Sequence, residues 1–331
     1  MKVLITGITG MVGSTMADYL LDKAEIVGLK RWRSPMDNVK HLIGKIRFYD
    51  GDLKDLSSMI NIISQESPDV IYHFGAQSEV LTSFSMPAET LMDNGIGTLN
   101  LLEAIRIVND SRCVGSGECE GQELYNPIIV IASSSEVYGQ VSKEDIPIKE
   151  TCPLRPVSPY AVSKVNEDNW GYMYHIAYDM EIIRTRMFTH TGARRHYAFH
   201  ESSFARQIAL IEKGLQPPVI KVGNLDSIRT YLDVKDAVRA YWMVKDCPAG
   251  EVYNIGGDFT CTVGQTLGYL MVLSTYQGDI KIEVDQSRLR PSDVTNQIPC
   301  VDKFKQATNW QREVPFKDTL QSLLDYWREH I

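Results

Sequence analysis

The chain has 331 residues, of which 44% are hydrophobic and 23% charged, and its formal net charge is −8. This composition is typical of a folded globular protein and excludes a disordered or collagen-like chain. The negative charge, without a long run of Lys or Arg, argues against nonspecific binding to nucleic acid or to an anionic membrane, because both need clustered positive charge.

The first part of the chain alternates short β-branched runs with longer amphipathic stretches, which predicts an α/β fold of the Rossmann type, a doubly wound parallel sheet with helices on both faces. From about residue 191 the pattern loosens into short strands and Gly/Pro turns, so we predict a smaller C-terminal lobe. We place the first domain at residues 1–190, with 230–258 returning to it, and the second lobe at 191–331. The predicted strands are Val3–Thr6, Ile26–Leu29, Ile46–Tyr49, Val70–Phe74, Ile128–Ala132 and Ile182–Met187; the predicted helices are Ser14–Leu21, Leu53–Gln65, Gly97–Val108, Ser202–Glu212 and Lys317–Arg328; Asn109–Pro127 is predicted to be a surface loop.

The length of the apolar runs and the spacing of the cysteines indicate in which cellular compartment the protein is expected. The longest obvious apolar run, Ile128–Ala132, is far shorter than the ~18 residues needed to span a bilayer. The N-terminal residues reach glycine and threonine too soon for a secretion signal. The six cysteines are mostly isolated, and the close pair Cys113 and Cys119 lacks a second pair or a histidine that would complete a metal site. We therefore expect a cytoplasmic protein without a membrane segment or a metal ion.

A glycine-rich turn follows the first predicted strand and leads into a helix. Gly7 and Gly10 let the backbone turn tightly and approach a pyrophosphate, which the helix N-terminus stabilises, and Gly13 lets the helix pack closely on the sheet. A tight strand-to-helix turn without a ligand is the alternative. The residues predicted to bind a dinucleotide here are Gly7, Thr9, Gly10, Met11, Val12 and Gly13.

The end of the second predicted strand indicates which dinucleotide is bound. An NAD enzyme usually has an acidic residue at this point, but this chain has Arg31, Arg33 and Ser34. Guanidinium and hydroxyl groups suit a 2′-phosphate, so the sequence predicts NADP, although a solvated basic loop would look the same. The loops after the third and fourth strands should complete the cofactor site with Asp52, Leu53, Ala76, Gln77 and Ser78.

Two motifs predict the catalytic groups. Tyr160 and Lys164 are four residues apart and so share one face of a helix. A nearby ammonium favours the phenolate, which makes the tyrosine a usable base. Ser134 and Glu136 follow a core strand and present a hydroxyl and a carboxylate to the same crevice, although serines at a strand end are also common in turns.

Together these motifs resemble the extended short-chain dehydrogenase/reductase family of nucleotide-sugar enzymes. The resemblance covers nearly the whole chain, apart from Asn109–Pro127, and is closest to the GDP-mannose 4,6-dehydratase group and its 4-keto-reductase relatives. The segments that carry it are SSSEVYG (133–139), SPYAVSK (158–164), residues 222–242 and Arg288-Leu289-Arg290-Pro291.

The resemblance implies a role for each catalytic candidate. Tyr160 would take the proton of the sugar C4 hydroxyl while hydride passes from C4 to the nicotinamide. Lys164 would lower the pKa of Tyr160 and hold the nicotinamide ribose, and Ser134 would hydrogen-bond the C4 oxygen. Glu136 would remove the acidified C5 proton, after which water leaves C6 and the hydride returns there.

Three departures from the related patterns affect the subclass. Glucose-type dehydratases have an aspartate, the acid for the leaving hydroxyl, where this chain has Ser135. The acid therefore stays open, and Glu136 could itself deliver the proton. In addition, Ser134 stands where dehydratases mostly have threonine, and Thr189-His190 stands where many relatives have Asn-His.

The resemblance also implies a site for the nucleotide diphosphate in the second lobe. Arg229 and Arg290 match positions at which relatives bind the substrate phosphates, and a guanidinium suits two phosphate oxygens. For any one arginine, a surface ion pair is an equal alternative. Arg194 and Arg195 could face the substrate or a neighbouring subunit. The substrate-binding candidates are Ser78, Arg195, Asn224, Arg229 and Arg290.

The resemblance implies an NADP-dependent GDP-sugar 4,6-dehydratase, a lyase of surface-glycan sugar biosynthesis, acting on GDP-mannose or GDP-N-acetylglucosamine. A GDP-4-keto-6-deoxy-sugar reductase is the first alternative and a nucleotide-sugar 4-epimerase the second. A non-catalytic NADP-binding scaffold is a third, which the combination of four catalytic candidates disfavours. The resemblance further implies a homodimer or homotetramer.

Overall fold

Thirteen strands and eleven α-helices make up the computed structural model of the chain, which describes residues 1–116 and 125–331, without the side chains of 112–116. Residues 117–124 of the predicted loop, which include Cys119, and the side chain of Cys113 therefore lie outside what is described. The strands are β1 (Lys2–Thr6), β2 (Glu25–Lys30), β3 (Arg47–Asp50), β4 (Val70–His73), β5 (Ile128–Ala132), β6 (Ile182–Met187), β7 (His190–Thr191), β8 (Val219–Val222), β9 (Ile228–Asp233), β10 (Val252–Ile255), β11 (Phe259–Thr262), β12 (Lys281–Val284) and β13 (Asn296–Gln297).

The helices alternate with these strands through most of the chain. Short 3-10 turns lie at Lys40–Leu42, Ser135–Tyr138, Lys143–Asp145 and Gln286–Arg288, and a π-helical segment lies at Met92–Ile96. The α-helices are α1 (Met11–Leu20), α2 (Leu56–Glu66), α3 (Val80–Ser85), α4 (Pro87–Leu91), α5 (Gly97–Ser116), α6 (Pro159–Tyr178), α7 (His200–Glu212), α8 (Val234–Val244), α9 (Val263–Val272), α10 (Asp302–Thr308) and α11 (Phe316–Glu329).

Seven parallel strands form the main sheet in the order β10–β6–β5–β4–β1–β2–β3. Successive side chains of a strand point to opposite faces. In β1, Val3 and Ile5 accordingly pack on the face covered by α1 and α8, and Leu4 packs on the face covered by α2, α5 and α6. Both faces are buried, as a doubly wound sheet requires. The structure thus confirms the predicted Rossmann-type fold.

The last third of the chain also contributes a second core. Strands β7, β9, β11 and β13 form one small sheet and β8 pairs with β12. Helices α7, α9 and α11 pack around them through residues such as Phe204, Leu267 and Leu320. Strand β10 belongs to the main sheet, although the domain boundary at residue 190 itself stays a prediction.

Helix α5 continues to Ser116, so the prediction of a loop from residue 109 is wrong for 109–116. The polar side chains there do not break the helix, because Arg106 pairs with Asp110 one turn later at 2.6 Å and the Ser111 hydroxyl donates to the Val108 carbonyl. Within residues 1–116 and 125–331, no helix is both long and apolar enough to cross a membrane.

A buried ion-pair cluster fixes α6 on the sheet. Asp168 on α6 is fully buried and accepts hydrogen bonds from Arg184 (3.0 Å) and Arg186 (2.9 Å) of β6. Removing either guanidinium would leave a buried carboxylate poorly compensated and would destabilise the fold by several kcal/mol. The cluster therefore holds α6 in one position on the sheet. The helix carries Tyr160 and Lys164 and therefore sets their place at the edge of the sheet.

Candidate active site

A cavity of about 460 Å³ opens at the carboxyl edge of the main sheet, between that sheet and the second lobe. All seven strands are parallel, so the loops that follow them meet at this edge, which is where ligands of such sheets bind. Most of the predicted site residues line the cavity: Gly7, Thr9, Gly10, Met11, Val12, Gly13, Arg31, Asp52, Leu53, Ala76, Gln77, Ser78, Ser134, Glu136, Tyr160, Lys164, Arg195, Arg229 and Arg290.

The glycine-rich turn has the geometry that a pyrophosphate needs. Gly7 has a φ of +67°, which glycine adopts without strain, and a Cβ there would lie 2.8 Å from the Gly75 Cα. Helix α1 begins after Gly10, and no described side chain caps this end, which also lacks an acidic residue in its first turn. Its free N–H groups and the positive end of its dipole suit an anion, so these residues fit the pyrophosphate of a dinucleotide.

The basic segment after β2 is divided between the cavity and the surface. Lys30, Arg31 and Ser34 line the cavity. Arg33 is not among the lining residues, because its guanidinium lies over the ring of the exposed Trp32, 4.4 Å from the centroid. The cationic wall of the cavity near β2 therefore consists of Lys30 and Arg31.

The local structure at the start of α6 and after β5 orients the predicted catalytic groups. Ser158 caps α6 by accepting from the Ala161 N–H at 3.0 Å, so Tyr160 lies in the first turn of the helix. Ser134 caps the 3-10 turn that follows β5 and accepts from the Glu136 N–H at 3.2 Å. Ser134, Glu136, Tyr160 and Lys164 all line the cavity, so the phenol, the ammonium and the carboxylate share one site.

Burial controls the ionisation of the predicted base. Tyr160 is 8% exposed, and burial raises the pKa of its phenol. The Lys164 ammonium and the Ser134 hydroxyl lower that pKa, but burial outweighs them. Burial lowers the pKa of Lys164, but the interactions with Glu167 and Tyr160 together outweigh it, so that pKa is raised.

Glu136 lines the cavity and interacts electrostatically with Arg290 and Arg229. Burial raises the pKa of its carboxyl, while Arg290 and Arg229 counteract this by favouring the carboxylate. The pKa of Glu136 thus depends on the charge of the two arginines, and any anion that neutralised them would raise it further. A carboxylate in this position can first accept a proton and then donate it.

Asn94 connects the cofactor side of the cavity to the catalytic helix. Its Oδ1 accepts from the Gln77 N–H at 2.7 Å, and its Nδ2 donates to Ser163 Oγ at 2.8 Å. Ser163 in turn donates to the carbonyl of Tyr160 at 2.7 Å. Asn94 is fully buried in the π-helical segment and was not among the sequence candidates; an isolated Asn in a helical stretch carries no signal of such a role.

Only part of the predicted substrate set reaches the cavity. Arg229 and Arg290 line it and lie on either side of Asp293, each with a nitrogen 3.4 Å from that carboxylate. Asn224 does not line it, because its amide donates to Ser227 Oγ and to Asp293, each at 3.0 Å. Arg194 pairs with Asp18 at 2.7 Å.

The cavity also contains a buried carboxylate that the sequence analysis did not identify. Glu201, in the first turn of α7, is 1% exposed, and neither of its oxygens has a hydrogen-bond partner among the described residues. The ring of His200 lies beside it, with Nδ1 3.4 Å away, and burial lowers the pKa of that ring to about 4. The pKa of Glu201 is lowered, because His200 and Arg195 together outweigh its burial. Its position directly after the loop that follows β6 and β7 is the signal that could have identified it.

Comparison with known proteins identifies a family. A sequence model described as "GDP-mannose 4,6 dehydratase" matches residues 4–323. The chain is similar to the GDP-mannose 4,6-dehydratase of Yersinia enterocolitica, with 32% identity covering 96% of this chain and 91% of that protein. It is also similar to the GDP-6-deoxy-D-mannose reductase of Pseudomonas aeruginosa, with 31% identity covering 80% of this chain and 82% of that protein.

Among solved structures, the fold is similar to that of RMD from Pseudomonas aeruginosa complexed with NADPH. The TM-score is 0.82, the sequence identity is 27%, and the match covers 100% of this chain and 99% of that chain. That relative binds NADPH, and the glycine-rich turn described above fits the pyrophosphate of such a nicotinamide dinucleotide.

Gly13→Ala tests the glycine-rich turn. A Cβ at residue 13 would lie 2.4 Å from the Gly7 carbonyl oxygen, so α1 must move away from the turn. We expect this variant to lose at least about tenfold in affinity for NADP⁺, measured by calorimetry, because the pyrophosphate contacts depend on this close packing. Gly268→Ala in α9 is the matched control, since a Cβ there meets no described atom within 4 Å. Equal NADP⁺ affinity in both variants would contradict the assignment.

Proposed function

The chain belongs to the GDP-mannose 4,6-dehydratase family, and on that premise we propose that it removes water from a GDP-hexose to form the 4-keto-6-deoxy sugar. GDP-mannose is the proposed substrate, and GDP-N-acetylglucosamine is the other sugar nucleotide to be tested. The observation that carries the proposal is the presence of Glu136 in one cavity with Tyr160, Lys164 and the arginine pair. An elimination needs such a second base.

NADP is the proposed cofactor. The uncapped N-terminus of α1 supports binding of the pyrophosphate, and Arg31 with Ser34 would bind the 2′-phosphate. When bound, the nicotinamide supplies a reversible hydride acceptor for the sugar C4. Lys164 can donate to the nicotinamide ribose, because Ala132 and Glu167 occupy two of its three hydrogens.

The proposed proton transfers balance over one turnover. Tyr160 takes the proton of the C4 hydroxyl, with Ser134 donating to the C4 oxygen. Glu136 then takes the C5 proton, which the C4 ketone has made acidic, and delivers it to the C6 hydroxyl, which leaves as water. The proton on Tyr160 then restores the C5–H bond as C6 receives the hydride that C4 gave up, so both side chains return to their initial charge.

The diphosphate of the substrate would bind Arg229 and Arg290. Both now share the single carboxylate Asp293 at a long distance, so each keeps donors for phosphate oxygens. Phosphate binding there would also weaken the arginines' effect on Glu136 and raise its pKa, which couples substrate binding to the proton transfer.

A reductase of a GDP-4-keto-6-deoxy sugar is the second candidate, because a reductase is among the similar proteins. Such an enzyme needs Tyr160 and Lys164 but has no use for a carboxylate that removes the C5 proton. Glu136 therefore favours the dehydratase.

We also propose a homodimer or homotetramer in the cytoplasm. Large apolar side chains are exposed on α4 and α6, among them Leu91, Val162 and Ile176, and such a surface supports association of subunits.

The mass of the product, measured together with the amount of NADPH formed or consumed, tests the proposed function. With GDP-mannose and a catalytic amount of NADP⁺, we expect mass spectrometry to show loss of one water and no net formation or consumption of NADPH. Tyr160→Phe should lower turnover at least about a hundredfold while keeping NADP⁺ affinity, because only the base is removed. Stoichiometric consumption of NADPH with a 4-keto substrate would instead identify a reductase.

Glu136→Gln separates the two half-reactions. The amide keeps the shape of the side chain but cannot accept the C5 proton, so we expect dehydration to fall by about a hundredfold or more. Oxidation at C4 should persist, and reduced nicotinamide should accumulate to one equivalent per active site in its near-ultraviolet absorbance. Unchanged water loss in this variant would show that another group is the base.

Arg31→Ser tests the cofactor preference. Loss of a charge-assisted hydrogen bond to the 2′-phosphate should weaken NADP⁺ binding by about tenfold to a hundredfold and leave NAD⁺ binding unchanged. Arg33→Ser is the control and should have a smaller effect, since the Arg33 guanidinium lies over Trp32. A wild-type preference for NAD⁺ would contradict the proposal.

A further inference from the structure

Glu167 is a buried carboxylate one helical turn after Lys164. It is 1% exposed, and its Oε2 accepts a hydrogen bond from Lys164 Nζ at 2.6 Å. The spacing of three residues places both side chains on one face of α6. The mechanism proposed above does not use this carboxylate.

Lys164 therefore stands between two acids. Tyr160 precedes it by one turn and Glu167 follows it by one turn, and the ammonium is 4% exposed. The only other described partner of Nζ is the carbonyl of Ala132, a neutral group, at 2.9 Å. A single positive charge thus faces two groups that can each become an anion.

The remaining surroundings do not supply a second cation to Glu167. Its Oε1 has no hydrogen-bond partner among the described residues, and His73 Nε2 lies 3.8 Å away. Thr6 and Thr98 hold the His73 ring at 2.9 Å on either side, and burial lowers the pKa of His73 to about 3, so the ring is neutral.

The other titratable groups nearby are engaged elsewhere or are not cations. Asp168 is bound by Arg184 and Arg186. Tyr241 of α8 faces both Tyr160 and Glu167 but stays a neutral phenol, since burial raises its pKa well above neutrality. On the cavity side, Tyr160 is influenced by the anion Glu136 and by Arg195, which is also close to Glu201.

Burial makes simultaneous ionisation of both acids expensive. It raises the pKa of Glu167 to about 7, close to the pH at which a base must work, and it also raises the pKa of Tyr160. Each anion lies in an environment of low polarity, where an uncompensated charge costs much more than in water. One ammonium can compensate one of them well, but not both.

We propose that Glu167 is a positioning residue that competes with Tyr160 for the Lys164 ammonium, so that ionisation of either acid opposes ionisation of the other. When Glu167 is neutral, the Lys164 ammonium stabilises the Tyr160 phenolate. When Glu167 is ionised, the ammonium is paired with the carboxylate and stabilises the phenolate less. The carboxylate therefore sets the pH range in which Tyr160 acts as a base. This inference rests on the proposed function only in taking Tyr160 as the base.

The titration of the Tyr160 phenol in the NADP⁺-bound enzyme tests this. Its ultraviolet phenolate absorbance is followed against pH in the wild type and in Glu167→Gln, and each curve is corrected with the matching Tyr160→Phe variant. Removing the negative charge frees Lys164 for the phenolate, so the midpoint should fall by about one pH unit. The acid limb of kcat with GDP-mannose should shift in the same direction, with little change in KM.

Two further variants separate charge from structure. Glu167→Ala should reproduce the shift, and it avoids placing an amide NH₂ where Oε1 has no partner. Glu66→Gln removes another buried, ion-paired carboxylate, bound to Lys2 at the far end of β1, and should leave both midpoints unchanged.

The outcomes distinguish this inference from the proposed function. An unchanged or raised midpoint in folded Glu167→Gln or Glu167→Ala would overturn the inference even if GDP-mannose is dehydrated. A lowered phenol midpoint without turnover of GDP-mannose would support the inference and count against the proposed function alone.

Discussion

The buried ammonium of Lys164 is the interaction on which the site depends. It joins the end of β5, through the Ala132 carbonyl, to the face of α6 that carries Tyr160 and Glu167. A buried charge must be compensated or it destabilises the fold by several kcal/mol. The pair with Glu167 supplies this compensation, and the Asp168 cluster holds the helix that carries both groups.

The parallel sheet explains why the remaining groups reach this ammonium. The loops after β1, β2 and β4 line the part of the cavity proposed to hold the cofactor, and those after β5 and β6 line the part proposed to hold the substrate. Arg229 and Arg290 of the second lobe line the cavity as well. Stability and chemistry therefore share the same residues: the side chains that anchor α6 to the sheet also hold the proposed base next to its cation.

The parts of the site that follow strand ends could be predicted from sequence, because they depend on local patterns. The alternation of strands and helices gives the sheet, and the glycines, Tyr160 and Lys164 have a characteristic spacing. Arg33 and Asn224 did not reach the cavity because each has a neighbouring partner, Trp32 and Asp293, that sequence spacing does not reveal. Asn94 could not be predicted from sequence, because its role depends on hydrogen bonds to Gln77 and Ser163, which are distant in the chain.

Glu167 and Glu201 are buried carboxylates that could not be assigned to the site from sequence, for two different reasons. The spacing of Glu167 from Lys164 was readable from the sequence as an ion pair on a helix, but its burial, which makes the pair matter for Tyr160, required the fold. The burial of Glu201 depends on how the second lobe closes over the cavity, and no local pattern encodes that.

In the proposed reaction, one cavity removes a hydride from C4 and returns it to C6 of the same sugar. GDP-mannose deuterated at C4, incubated with the enzyme and unlabelled NADP⁺, tests this most directly. We expect a 4-keto-6-deoxy product whose C6 methyl group carries the deuterium, as read by mass spectrometry and NMR. A product with an unlabelled methyl group, or deuterium released on free reduced cofactor, would contradict it.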